Sequence, residues 1–131
     1  MKLNTTSQYA IKIMSYMASD DGIDFYHAKE ISDNLEIPYK YLTRVMTMLV
    51  NADLIISSRG RIGGYRLLKD PSKIRLIDIL DAVDESFDMN SCILNHRKCN
   101  EKKKCALHDK WKEPKRMIKD MFTNTTLDEL V

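Results

Sequence analysis

Apolar residues recur along this chain mostly at helical spacing, interrupted once by two short runs of strand formers. Ala10, Ile13, Met14 and Met17 make one stripe and predict a helix over residues 5–19, with Thr5 or Thr6 as N-cap and Asp20-Asp21-Gly22 as its end. Ala28, Ile31 and Leu35 predict a second helix. Glu36-Ile37-Pro38 interrupts, and Tyr41, Leu42, Val45, Met46, Leu49 and Val50 resume the period, with Pro38 suited to the first turn of this third helix. Leu54-Ile55-Ile56-Ser57 and Tyr65-Arg66-Leu67-Leu68 are short runs of strand formers joined by Ser58-Arg59-Gly60-Arg61-Ile62-Gly63-Gly64, the pattern of a hairpin. Ile23-Asp24-Phe25 is a candidate short strand beside it. After the turn Asp70-Pro71-Ser72, the residues Leu76, Ile77, Ile79, Leu80, Ala82 and Val83 predict a helix ending near Glu85. Periodicity lapses from Ser86 to Lys104. It returns with Leu107, Trp111, Pro114, Ile118 and Met121, a terminal helix stripe that Pro114 either bends or starts, and a turn with a short final helix closes the chain.

Two short helices, a tight turn and a glycine-tipped hairpin over residues 28–68 outline a winged helix-turn-helix. The predicted fold is mainly α with a small β-hairpin wing, plus a long C-terminal dimerisation helix. Residues 1–85 would form the DNA-binding head and 86–131 the cysteine loop and dimerisation helix, packed as one unit, a size that 131 residues with 44% hydrophobic content supports. The terminal stripe has little core left to cover, so a second copy is its expected partner, although packing on its own head is the simpler alternative.

Charge position sharpens this picture. Residues 38–75 hold eight basic residues and two acidic ones, a local balance of +6 in a chain that is +2 overall. Lys40, Thr43, Arg44 and Thr47 lie on the polar face of the third helix, as candidates for base-edge and phosphate contacts, and Arg59 and Arg61 sit in the wing loop. Three of the four glycines fall in that loop, where they allow positive φ and close approach to a phosphate or a minor groove. Solvated loop arginines are the alternative. Gln8 and Tyr9 lie near the start of the first helix, where such folds touch phosphate, though packing is the plainer role for Tyr9; His27 reads as a surface or capping residue. The chain shows no apolar run of membrane-spanning length and no signal-peptide core, so a cytoplasmic protein is expected. No constellation of nucleophile, base and orienting group is visible, which points away from an enzyme.

All three cysteines lie within fourteen residues, in the pattern Cys92-x6-Cys99-x5-Cys105-x2-His108. Their polar flanks do not suit buried structural thiols, and an odd number in a cytoplasmic chain argues against a disulfide framework. Three thiolates and an imidazole suit zinc or an iron-sulfur cluster, and the absence of a tight Cys-x2-Cys knuckle favours the bulkier cluster. His96 is a spare candidate more at home in solvent.

The helix pair with Tyr41-Leu42, the wing Ser58-Arg59-Gly60-x-x-Gly63-Gly64-Tyr65, the segment Ala82-Val83-Asp84-Glu85-Ser86, the three-cysteine loop and Thr125-Thr126-Leu127-x-x-Leu130 resemble the IscR/NsrR family of bacterial transcription regulators over nearly the whole chain. The Cys-x2-His ending is similar to the IscR-like members. The resemblance implies a homodimeric winged-helix protein that binds partly palindromic double-stranded promoter DNA. It further implies an iron-sulfur cluster, 2Fe-2S with 4Fe-4S as the alternative, on Cys92, Cys99, Cys105 and His108. Lys40, Tyr41, Thr43 and Arg44 would be the major-groove candidates, and Arg59, Gly60 and Arg61 the wing contacts. The Tyr41 ring could belong to the core while its hydroxyl reaches a phosphate.

Overall fold

The first helix, α1, spans Thr5–Ala18 and is capped by Asn4, whose side-chain oxygen accepts from Ser7 N at 2.8 Å. Neither threonine expected there is the cap, because the chain is already helical at Thr5 and only Asn4 has the extended backbone a cap requires (φ −68°, ψ 166°). The structure is a computed structural model that describes residues 3–19, 23–84, 92–94 and 97–131. The expected helix end at Asp20-Asp21-Gly22 and the spare His96 lie outside the described residues. Ala10, Ile13, Met14 and Met17 are all buried, and the rest of the domain packs around this stripe.

Helix α2 covers Ala28–Leu35 and α3 covers Tyr39–Asn51. The turn between them is fixed by Glu36 in the left-handed region (φ 54°) and by Ser32, whose hydroxyl donates to Ile37 O at 2.6 Å while Ser32 O accepts from Ile37 N at 3.1 Å. Ile37 is thereby pressed into the core, and Pro38 stands one residue before the first turn, at the N-cap of α3. Position 27 caps α2 without a side-chain hydrogen bond, so His27 is simply exposed there. On α3, Leu42, Val45, Met46 and Leu49 are buried, whereas Tyr41 at the stripe's edge is 52% exposed, which takes its ring out of the core.

Strands β1 (Ile55–Ser58) and β2 (Gly64–Leu67) pair antiparallel, with Ile55 opposite Leu67 and Ser58 opposite Gly64. The expected extra strand reduces to one bridge, one residue later: Tyr26 N donates to Tyr65 O at 2.7 Å and Tyr65 N to Tyr26 O at 2.8 Å. A short 3-10 helix, Pro71–Lys73, leads into α4, Leu76–Ala82, which ends before Glu85 as Val83 and Asp84 leave helical geometry. Helix α5, His108–Asn124, runs unbroken through Pro114, since a proline removes one backbone hydrogen bond and the neighbouring turns retain theirs. The chain then returns to the head: Leu76 N donates to Thr125 O at 2.9 Å, Leu127 N to Ile74 O at 2.8 Å, and Leu127, opening the 3-10 helix Leu127–Leu130, is fully buried.

Candidate nucleic-acid interface and cysteine loop

Burial of one face of α3 leaves Tyr39, Lys40, Tyr41, Arg44 and Thr47 exposed on the other, with Thr43 half-buried among them. The hydroxyls of Thr43 and Thr47 donate to Lys40 O and Thr43 O, both at 3.0 Å, so they present lone pairs outward while Lys40 and Arg44 present donors. Tyr39 escaped the sequence reading. Its position off the apolar stripe, directly after Pro38, is the signal that could have found it. A cleft of about 260 Å³ separates α3 from the start of α1, with Thr5, Thr6 and Tyr9 on one wall and Tyr41 and Arg44 on the other.

In the wing, Gly63 N donates to Gly60 O at 3.2 Å, which closes a four-residue turn around Arg61 and Ile62. Two of the three wing glycines serve the hairpin itself. A Cβ on Gly63 would lie 2.1 Å from Ser58 O, and one on Gly64, at φ 140°, would lie 2.5 Å from Tyr26 O. Gly60, at φ 103° with nothing within 4 Å, is the one that leaves open space for an outside ligand. Arg66 lies 5.4 Å from the Phe25 ring centre and Arg75 pairs with Asp78 at 3.1 Å, so both are engaged within the fold. Among the described residues, Lys40, Arg44, Arg59 and Arg61 form no ion pair. The charge that α3 and the wing carry is therefore not neutralised by ion pairs among the described residues.

Cys92, Cys99 and Cys105 are half-buried and none of them is in a disulfide. His108 opens α5, is 7% exposed, and is tied to the loop by donation of its backbone N–H to Cys105 O at 3.1 Å. Its Nε2 is buried without a hydrogen-bond partner, its nearest charged neighbour being Glu101 Oε1 at 3.5 Å, too long for good hydrogen-bond geometry. His108 and Cys99 line one cleft of about 370 Å³ together with Glu101 and Trp111, whose indole nitrogen is likewise buried without a partner. The His108 imidazole and the Lys112 ammonium hold the Glu101 carboxyl below the usual carboxylate range. Cys99 and His108 thus line the same cleft, and Cys105 is linked to His108 through the backbone. Among the described residues, no three His, Cys, Asp or Glu side chains converge on one metal position. Along α5, Phe122 is buried and Trp111 and Ile118 are half-buried, while Leu107, Pro114, Met117 and Met121 stay exposed.

The model of the Rrf2 family, described as an iron-dependent transcriptional regulator, matches residues 3–131. The chain belongs to the Rrf2 family. This Rrf2 regulator is 33% identical to the HTH-type transcriptional regulator IscR of Vibrio campbellii over 131 residues, which cover all of this chain and 77% of that one. It is 32% identical to IscR of Pectobacterium atrosepticum, covering 79% of that chain. Among solved structures, CymR, the global cysteine regulator of B. subtilis, superposes with a TM-score of 0.83 at 26% identity, covering 99% of this chain and 95% of that one. IscR of T. potens superposes with a TM-score of 0.74 at 23% identity, covering 99% and 85%, a likeness of fold. The Rrf2 chain is accordingly a winged-helix transcription regulator that binds DNA and not an enzyme, and no helix among its described residues is long and apolar enough to cross a membrane.

Proposed function

We propose that this regulator acts as a cytoplasmic homodimer whose grip on promoter DNA is controlled by an iron-sulfur cluster, 2Fe-2S in preference to 4Fe-4S, held by Cys92, Cys99, Cys105 and His108. The observation that carries the reading is the buried Nε2 of His108, which has only a long 3.5 Å contact to Glu101 and makes no hydrogen bond of good geometry, on a residue that lines one cleft with Cys99. A buried ring nitrogen without a partner is costly, and coordination removes that cost. The donor chemistry fits, since three thiolates and one neutral imidazole suit soft iron. When bound, the cluster would supply a redox-sensitive centre that orders the loop. The chain's own residues then do the rest. In the reading head, residues 1–85, Lys40, Tyr41, Thr43 and Arg44 face the major groove and Arg59, Gly60 and Arg61 the adjacent backbone and minor groove. The segment 86–131 joins the loop to α5, whose Trp111 and exposed Met121 meet the partner copy, setting two heads on half-sites about 34 Å apart.

Anaerobic purification followed by visible absorption and Mössbauer spectroscopy tests the proposal. A coloured protein is expected; His108→Ala should assemble its cluster poorly, His108→Cys should keep it at a lower reduction potential, and His96→Ala should change neither. A colourless protein carrying zinc, or a metal-free one whose DNA binding follows thiol oxidation or nitric oxide, would replace the cluster with a different sensor on the same head.

A further inference from the structure

Ile62 is 90% exposed at the centre of the wing turn. Single exposed apolar residues on a broad surface are ordinary, but this one stands at the end of a projecting finger. Turn centres favour Gly, Asn, Asp and Ser, and neither propensity nor packing asks for isoleucine here. Behind it the hairpin is tightly closed: Gly63 N is bonded to Gly60 O at 3.2 Å, and Gly63 lies too close to the Ser58 carbonyl for any side chain to fit. Arg61 shares the turn with Ile62 and Arg59 precedes it, both without ion-pair partners among the described residues, and Gly60 leaves the tip open to approach. A stiff, β-branched apolar group on a loop that also carries two cations matches the minor groove, a narrow anionic channel whose floor is the apolar edge of the base stack.

We propose that Ile62 enters the minor groove as an apolar wedge at a base step, so that the wing bends the duplex as well as gripping it. This rests on the DNA-binding reading of the wing and adds a deformation to it. Flexible pyrimidine–purine steps open most readily, so the wedge also gives the regulator a preference for such a step where the wing lands, without a base-specific hydrogen bond. Burying one isoleucine and unstacking one step are of similar size and opposite sign. The wedge therefore shows in the shape of the DNA more than in affinity.

The test uses the full-length protein and a duplex of about three helical turns that the wild type selects from a randomised pool, carrying 2-aminopurine at successive steps of the wing's half-site and fluorophores at its ends. Wild type should raise 2-aminopurine emission at one step and shorten the end-to-end distance. Ile62→Asn, a residue that suits the turn, should lose both signals while its affinity stays within about tenfold and its salt dependence is unchanged, because no phosphate contact has been altered. Ile62→Phe should keep both. An Ile62→Asn protein that still unstacks and bends the duplex would overturn the wedge. So would Ile62-dependent binding to phosphatidylserine vesicles alongside an unaltered bend, which would assign the finger to a membrane. A wild type that binds no duplex would remove the DNA-binding reading of the wing and the wedge with it.

Discussion

Replacing Gly63 with alanine should disable the wing while leaving the three-helix head folded. The new Cβ would sit 2.1 Å from Ser58 O, 2.7 Å from Ser58 C and 2.8 Å from Arg59 C, and all three neighbours are backbone. Reaching even 3.0 Å from the oxygen requires a shift of at least 0.9 Å that no side-chain rotation can supply. The two interactions that fix this part of the hairpin, Gly63 N to Gly60 O and the Ser58–Gly64 pairing, would go with that shift. At roughly 0.5–1.5 kcal/mol each they sum to about 1–3 kcal/mol, reduced by the roughly 0.4–1 kcal/mol that alanine gains by restricting the unfolded chain. The net loss, about 1–2 kcal/mol, corresponds to a fall in melting midpoint of about 3–8 °C for a domain of this size. Gly60→Ala meets no atom within 4 Å, so its cost is the strain of φ 103°, about 1–2 kcal/mol, with no displacement of the Ser58 backbone. Thermal unfolding followed by circular dichroism gives the first number and operator titration the second. Gly63→Ala should lose at least as much affinity as removal of a wing arginine, since it displaces both. A Gly63→Ala protein with wild-type midpoint and wild-type operator affinity would refute the close approach of Gly63 to the Ser58 backbone and the reasoning built on it.

Arg59→Ala should weaken operator binding by about 1–3 kcal/mol in gel-shift or anisotropy titrations, and unchanged affinity at physiological salt would take the wing out of recognition. Trp111→Glu places a charge in the seam proposed for α5; sedimentation should find a monomer, whereas a stable dimer competent for DNA would move the interface elsewhere. Asp78 accepts from Arg75 N at 2.9 Å and faces the Arg75 guanidinium; burial raises its pKa, and the hydrogen bonds from Arg75 more than reverse this, so the net shift is downward. A depressed folded pKa adds stability that is complete above the unfolded value and lost as pH falls through the folded one. The advantage of wild type over Asp78→Ala, about 1 kcal/mol, should thus hold at neutral pH and shrink below about pH 4 in urea unfolding series.

The strongly periodic stretches are legible in the sequence alone. Ala10, Ile13, Met14 and Met17 fell where a helix period puts a core stripe, and all four are buried. Boundaries were harder, because they depend on one residue's backbone: Asn4, Thr5 and Thr6 are all competent caps, and only the path of the chain selects Asn4. Tyr41 shows a related limit, since a period of 3.6 places it at the rim of the stripe and packing decides which way the rim falls. The polar face of α3 and the cationic wing were readable from charge position. That Gly63 and Gly64 serve the hairpin itself was not, because close approach to Ser58 and Tyr26 is a property of pairing geometry. The least legible part is the placement of Cys92, Cys99 and Cys105, since they lie in irregular chain with no period to fix where their side chains point.

Helix α5 is held at one end only by the core. Phe122 packs into the head and the strand-like Thr125–Leu127 segment is sewn to Ile74 and Leu76, whereas the His108 end is fastened to the cysteine loop. Its 17 residues make a rod of about 25 Å. A rod pinned at one end converts a sideways push at the other into a swing: a displacement of about 2 Å at His108 turns it by about 5° around Phe122. In a two-fold pair the swing enters twice with opposite sense, once for each rod, so the relative angle of the two heads changes by twice as much as either helix moves. The loop would thereby set the stance of the pair on the double helix without reshaping either recognition surface.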